Sequence, residues 1–138
     1  MAQQENSHLL KHLEFLEITI VRMAANSFII KGWTVTLVAA ILAFTTAEKG
    51  SKCGWISLIP VFIFWGLDGY YLRQERLFRC LYNCVRLLPA EKGTDFSMDT
   101  SPFTSEVRNW FGVCFSKTLF WFYFPLAVAA AGVAYYVK

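Results

Sequence analysis

The chain has 138 residues, enough for one domain, and 56% of them are hydrophobic and 17% aromatic. These fractions are high for a soluble globular domain and suit side chains that contact lipid. The formal net charge of +3 at pH 7 is too small to favour nucleic-acid binding. We therefore expect an all-α membrane protein with a single domain over residues 1–138.

The cysteines predict neither a disulfide framework nor a metal or cofactor site. Cys80 and Cys84 lie four residues apart on a predicted cytoplasmic helix, where thiols stay reduced. The two histidines, His8 and His12, are far from them in sequence, so no ligand set with zinc spacing is present. Charged residues interrupt the first 26 positions, which argues against a cleavable signal peptide.

The first predicted element is an amphipathic helix over residues 7–26. Its apolar residues recur every three or four positions and form one stripe: Leu9, Leu13, Leu16, Ile20 and Met23. Such a helix could lie on a membrane surface, pack within its own subunit, or form a short seam between subunits. The pattern leaves these alternatives open.

The first spanning segment is predicted over residues 28–47. Gly32 to Ala47 carries no charge, and twenty helical residues reach about 30 Å, the thickness of the hydrocarbon core. Lys31 near its start can extend its ammonium group to the headgroups. Trp33 suits the same interface, because an indole ring is apolar but its N–H is polar.

A short polar turn at 48–54 makes the first two spans an antiparallel hairpin. The second span covers 55–71, and the helix is expected to continue into the cytoplasm as far as Leu88, because no glycine or proline intervenes after Tyr70 until Pro89. Residues 89–101 are predicted to form a loop.

The remaining chain predicts a juxtamembrane helix over 102–117 and a third span over 118–137. Ser101 and Pro102 make a good helix start, a capping hydroxyl followed by proline at the first helical position. The second half of the third span is rich in alanine and glycine, so we expect it to face other helices closely.

The distribution of positive charge predicts the orientation. Ten lysines and arginines lie on the side that holds the amino terminus and residues 72–117, against three on the other side. The positive-inside rule then places the amino terminus in the cytoplasm and the carboxyl terminus on the outer side of the membrane.

No Gly-rich phosphate loop, HExxH motif or GxSxG motif occurs, so we expect no catalytic residues and no enzyme. The most distinctive polar residue is Asp68, because a carboxylate at a membrane boundary is unfavourable unless it is hydrated or paired. It could form part of a charged ring at the mouth of a pore. Alternatively, a tyrosine hydroxyl or an arginine of a neighbouring helix satisfies it within the protein.

Four arginines follow on the predicted cytoplasmic helix, at Arg73, Arg76, Arg79 and Arg86. They can serve as positive-inside determinants that contact lipid phosphates. If several subunits brought them together, they would form a basic surface for a phosphate-bearing ligand or an anionic partner.

The segment from Phe64 to Tyr82 resembles a stretch of the SLATT-like small transmembrane effectors of bacterial anti-phage defence, of the pattern FWxLDxYYLRQERLFRxLY. The shared layout is an amino-terminal helix, a tight hairpin of two spans and a long helix that leaves the membrane. The third span, 118–137, exceeds the two-span plan of that family. The resemblance implies an inner-membrane effector that permeabilises the membrane. Within such defence systems the resemblance makes the Hailong-type channel subunit a particular candidate. In that type a nucleotidyltransferase partner makes an oligonucleotide that holds the channel closed.

Our leading hypothesis is therefore a homo-oligomeric pore or ion channel that acts as a defence effector and is gated through its cytoplasmic helices by a nucleotide or oligonucleotide. The polar side chains available to a lumen, besides Asp68 at the pore mouth, are Thr34, Thr36, Thr45, Thr46 and Ser57. Two alternatives remain: a membrane anchor or scaffold that recruits a cytoplasmic partner, and an ungated toxin that damages the membrane.

Overall fold

A computed structural model describes residues 2–47, 52–89 and 95–136, with side chains from residue 6 in the first range and from residue 54 in the second. The chain is helical in the regions where regular structure is described. Its elements are α1 (Ala2–Ala47), a 3-10 helix (Lys52–Ser57), α2 (Leu58–Arg86), a 3-10 turn (Ser101–Phe103), α3 (Trp110–Cys114) and α4 (Lys117–Tyr136).

Helix α1 is one uninterrupted element of 46 residues. The amphipathic helix predicted at 7–26 and the span predicted at 28–47 are its two halves, because neither glycine nor proline lies between them to end the first half. At 1.5 Å per residue it is about 70 Å long, more than twice the thickness of a hydrocarbon core. We call its first half, up to residue 26, the arm.

The arm packs against the last part of α2 in the same subunit. The buried side chain of Leu16 lies in a cluster with Leu81 and Val85, to which Leu9, Leu13, Phe78, Tyr82 and Phe103 add partly buried contacts. Three residues of the predicted apolar stripe, Leu9, Leu13 and Leu16, thus pack on the cluster shared with α2. Of the three alternatives for residues 7–26, contact within the subunit is therefore present in the structure.

Residues 95–101 lie against the arm. The ring Nε2 of His12 is 3.0 Å from the carbonyl oxygen of Ser97, and Phe96, with a left-handed backbone φ of 53°, places its ring against His8 and His12. Nearby, hydrogen bonds from the hydroxyl and the backbone N–H of Ser101 lower the pKa of Asp99. Of the predicted loop 89–101, residues 90–94 lie outside the described residues, as do residues 48–51 of the predicted hairpin turn.

The structure differs from the helix predicted at 102–117. Ser101 and Pro102 begin only a short 3-10 turn, and helix resumes at α3. Between them the backbone is extended at Asn109, with ψ of 156°. The reason is packing: Trp110 and the α3 backbone contact α2 closely, and one straight helix could not follow the surface of α2 in this way.

Helix α4 contains the small residues predicted to meet other helices. Ala130 and Ala134 are buried, and a Cβ atom at Gly54 would lie 2.9 Å from that of Ala134, so the backbones approach closely there. A second buried cluster joins all three long helices: Val38, Val61, Val113, Leu119, Tyr123 and Ala130.

Three helices are long and apolar enough to cross a membrane, within Asn6–Ala47, Gly54–Arg86 and Lys117–Tyr136. This confirms the all-α class and the three apolar helices. Many large apolar side chains on them face outward, as a lipid-facing surface would require; examples are Phe28, Phe44, Phe62, Ile63 and Trp121.

Candidate functional site at the junction of the long helices

Asp68 lies at the junction of α1, α2 and α4, and its side chain is completely buried. Ser27 of α1 donates a hydrogen bond to one carboxylate oxygen. The other oxygen is 2.5 Å from the ammonium nitrogen of Lys31 and accepts a hydrogen bond of 3.1 Å from the hydroxyl of Tyr123 on α4. We call these four residues the junction cluster.

Each of the four side chains of the junction cluster has a hydrogen-bond or ion-pair partner within the cluster. Ser27 and Lys31 are four residues apart, so both point from α1 toward α2, and the Lys31 ammonium also donates to the Ser27 hydroxyl at 2.8 Å. Both carboxylate oxygens of Asp68 have partners, and its charge is balanced by Lys31. The chemistry of the cluster is therefore that of a buried ion pair which joins three helices, rather than of an open cation site.

Of the two interpretations of Asp68, this geometry favours the second. The Asp68 carboxylate is buried within the subunit, whereas a ring at a pore mouth would require it to face the lumen. A tyrosine hydroxyl does satisfy it, as the second interpretation required, and the positive partner is Lys31 instead of an arginine. The ammonium group of Lys31 is directed toward Asp68.

Helix α3 packs against the two glycines next to Asp68, Gly66 and Gly69. A Cβ atom at Gly69 would overlap the sulfur of Cys114, and one at Gly66 would lie 3.2 Å from the Trp110 ring. Their missing side chains make the groove in which α3 lies. Small residues allow this kind of close backbone approach between apolar helices.

Two tryptophans, one on each helix, donate hydrogen bonds across this contact to backbone carbonyls of the other helix. The indole N–H of Trp110 on α3 donates to the Gly66 carbonyl at 3.0 Å, and that of Trp65 on α2 donates to the Cys114 carbonyl at 2.8 Å. The second bond satisfies a carbonyl at the end of a five-residue helix. Such satisfaction matters where water is scarce, because an unpaired backbone group in an apolar environment is strongly unfavourable.

Three of the remaining pore candidates also lie inside the subunit. Thr34, Thr45 and Ser57 are buried, and their hydroxyls donate to carbonyls of their own helical segments at 2.6–2.7 Å. Thr36 and Thr46, by contrast, are exposed, although their hydroxyls also bond to nearby backbone carbonyls.

Thr36 and Thr46 belong to an exposed face of α1 made only of small residues. At 100° per residue, the face covers about one third of the helix circumference. It comprises Gly32, Thr36, Ala39, Ala40, Ala43, Thr46 and Ala47, all exposed. We call it the small-residue face.

The four arginines of α2 do not converge within one subunit. They extend over about 20 Å of helix. Arg79 pairs with Glu75 at 2.7 Å, and the Nε of Arg73 lies 3.4 Å from the carbonyl oxygen of Arg108. Arg79 also lines a recess of about 370 Å³ with Glu17, so this recess contains both signs of charge.

Among the residues that the structure describes, no group of histidine, cysteine and carboxylate side chains is arranged to hold a metal ion. Cys80, Cys84 and Cys114 are free thiols. The Cys53 side chain lies outside the described residues.

Sequence reasoning missed Ser27 and Tyr123 as partners of Asp68, and the α3 groove. One signal was present: Lys31 and Asp68 have opposite charges and lie near the same end of two antiparallel apolar segments. Nothing comparable marks Tyr123, which lies in an aromatic run with no periodicity.

No family model, curated protein or solved structure matches this chain.

Proposed function

We propose that the chain crosses a bacterial inner membrane three times and assembles with copies of itself into a pore or ion channel. In this proposal the amino terminus is cytoplasmic and the carboxyl terminus periplasmic, as the ten-to-three distribution of positive residues favours. A single subunit of three helices cannot enclose a water path, so the activity requires an oligomer.

The observation that carries the proposal is the small-residue face of α1. Interfaces between helices in lipid are enriched in small residues, because dispersion contacts and close backbone approach replace the hydrophobic effect there. The exposed residues Trp33 and Phe44 lie beside one edge of the face and Val35 beside the other, so the face is a shallow groove between larger side chains. A facing helix of another subunit fits this groove.

The polar groups for a lumen come from the part of this face that the facing helix leaves uncovered. Thr36 and Thr46 are about 15 Å apart along α1 and both are exposed. They replace Thr34, Thr45 and Ser57 as lumen candidates, because those three side chains are buried in the subunit. In a multimer, threonine hydroxyls at two levels would line a path of moderate polarity.

The continuity of α1 supports gating through the cytoplasmic helices. The arm and the apolar half are one helix, and the junction cluster ties this helix to α2 and α4 at the point where the two halves meet. A ligand or partner that moved the arm would thus move the small-residue face. The resemblance of the Phe64–Tyr82 segment suggests a defence role, with a nucleotidyltransferase partner and a nucleotide or oligonucleotide as the gating signal.

Planar bilayers test the proposal. We expect purified protein to give discrete, ion-selective conductance steps. Silence under all ligand conditions would instead favour a membrane anchor or scaffold, and irregular leakage without defined steps would favour an ungated toxin. Either result would overturn the channel proposal.

A further inference from the structure

An open recess of about 560 Å³ lies along residues 104–112. Its lining combines hydroxyls, an amide, a carboxylate, a guanidinium group and one aromatic ring, from Thr104, Ser105, Glu106, Arg108, Asn109 and Phe111. The recess is separate from the junction cluster and from the small-residue face.

The positive charge at this recess has no carboxylate partner among the described residues. Their two ion pairs are Lys31–Asp68 and Arg79–Glu75, and neither includes Arg108 or Arg73. The Nε of Arg73 on α2 donates to the backbone carbonyl of Arg108 at 3.4 Å, so a second positive charge lies beside the backbone of this segment. A guanidinium group without an ion pair in the lining, with a second one bound to the adjoining backbone, favours an anionic ligand.

The acidic residue in the lining does not cancel this charge by an ion pair. Burial, and after it the charge of the nearby Glu106 carboxylate, raises the pKa of the Cys80 thiol, so this carboxylate lies close to α2. The polar groups of Ser105 and Asn109 remain available: Asn109 precedes α3, yet its side chain makes no capping hydrogen bond. The lining thus offers neutral donors beside the Arg108 guanidinium.

The apolar neighbours of the recess point to a lipid as the source of the anion. Phe111 and Phe115 are 70% and 66% exposed, and Trp110 is also exposed, so the short α3 helix presents aromatic rings next to the guanidinium group. Exposed aromatic rings beside arginines are typical of the layer where acyl chains meet headgroups. A soluble anion would gain nothing from these rings.

We propose that this recess binds the phosphate headgroup of an acidic phospholipid. Arg108 grips the phosphate, Ser105 and Asn109 donate to its oxygens, and the acyl chains lie along Phe111 and Phe115. Arg73 contributes its positive charge from α2. This site does not depend on whether the protein conducts ions.

Tryptophan fluorescence in neutral detergent tests the site, since Trp110 lies next to it. Purified protein is titrated with short-chain phosphatidylglycerol, and with phosphatidylcholine of the same chain length. We expect saturable binding of phosphatidylglycerol, and an Arg108→Gln variant that needs about tenfold more lipid for half-saturation, the usual effect of losing one charge-assisted contact. Arg108→Lys, which keeps the charge but loses the planar fork, should fall between the two.

Arg86→Gln is the matched control, because Arg86 is an exposed arginine at the far end of α2 and its replacement changes the net charge equally. Equal weakening by Arg86→Gln would overturn the proposal and indicate a diffuse charge effect. Two other results would also overturn it: equal binding of phosphatidylcholine, or saturation of the same signal by inorganic phosphate at similar concentrations.

Discussion

The ammonium nitrogen of Lys31 and a carboxylate oxygen of Asp68 are 2.5 Å apart, and the Asp68 side chain has no solvent-accessible surface. A charge buried to this degree is tolerated only with a partner of opposite sign and hydrogen bonds to its remaining lone pairs. Lys31, Ser27 and Tyr123 provide both. The pair fixes the register of α1 against α2, because a shift of either helix by one residue would separate the charges.

Replacing Asp68 by asparagine should strongly destabilise the subunit. The substitution leaves the Lys31 ammonium without its counter-charge, and breaking a buried pair on one side costs about 3–5 kcal/mol. Unfolding in mixed micelles of increasing dodecyl sulfate content, followed by far-UV circular dichroism, measures the loss. The double variant Lys31→Met/Asp68→Leu should recover much of it, since it removes both charges together. Additive losses in the double variant would contradict the ion pair.

The burial of Asp68 also bears on ion selectivity. If the protein conducts, channels formed by the Asp68→Asn variant should show the same reversal potential as wild-type channels under a potassium chloride gradient. The carboxylate lies inside the subunit and is neutralised there by Lys31, so it contributes little field to a lumen outside. A shift toward anion permeability would indicate instead that Asp68 lies at the pore mouth.

Gly69 should not tolerate a methyl group. A Cβ atom there overlaps the Cys114 sulfur, so Gly69→Ala must displace α3, at a cost of about 1–3 kcal/mol. Gly132→Ala is the control, because no atom lies within 4 Å of a Cβ at that position. Adding Cys114→Ala to Gly69→Ala removes the obstructing sulfur and should restore stability. Failure of this rescue would mean that α3 does not lie in the groove.

The arm should owe its stability to contacts within the subunit. Leu16 is completely buried and Leu10 is 67% exposed on the same helix. Leu16→Ala should destabilise the packing of the arm by about 2–5 kcal/mol and speed its cleavage by trypsin at Lys11 or Arg22. Leu10→Ala should leave the cleavage rate unchanged. The opposite ranking would mean that the arm packs on another subunit through its Leu10 side.

The sequence predicted the helices well because their signals are local. The apolar stripe of the arm depends only on spacing along one helix, and its residues Leu9, Leu13 and Leu16 pack in the cluster with α2. The prediction of a helix over 102–117 was wrong because the conformation of this segment depends on residues distant in sequence. Gly66 and Gly69 create the groove, and Trp65 donates a hydrogen bond to the Cys114 carbonyl. Asp68 could be recognised as unusual, but its partners come from α1 and α4, 41 and 55 residues away.

The small-residue face should control assembly. Ala43 lies at its centre, and Ala43→Leu places a bulky side chain where another helix is proposed to approach. We expect native mass spectrometry or multi-angle light scattering in detergent to show a homo-oligomer for wild type. For Ala43→Leu, we expect the mass to fall toward that of a single subunit at the same protein concentration.

Ala129→Leu is the matched control, since Ala129 is an equally small, exposed residue on α4 and the added volume is identical. The two substitutions leave the buried clusters untouched, so far-UV circular dichroism should be the same for both. If Ala129→Leu dissociated the oligomer and Ala43→Leu did not, the subunits would meet through α4, and Thr36 and Thr46 would face lipid. If wild type itself had the mass of one subunit in several detergents and in nanodiscs, three helices would be all that is available to a pore. That number cannot surround a water path, so conduction by this protein would be excluded on geometry alone.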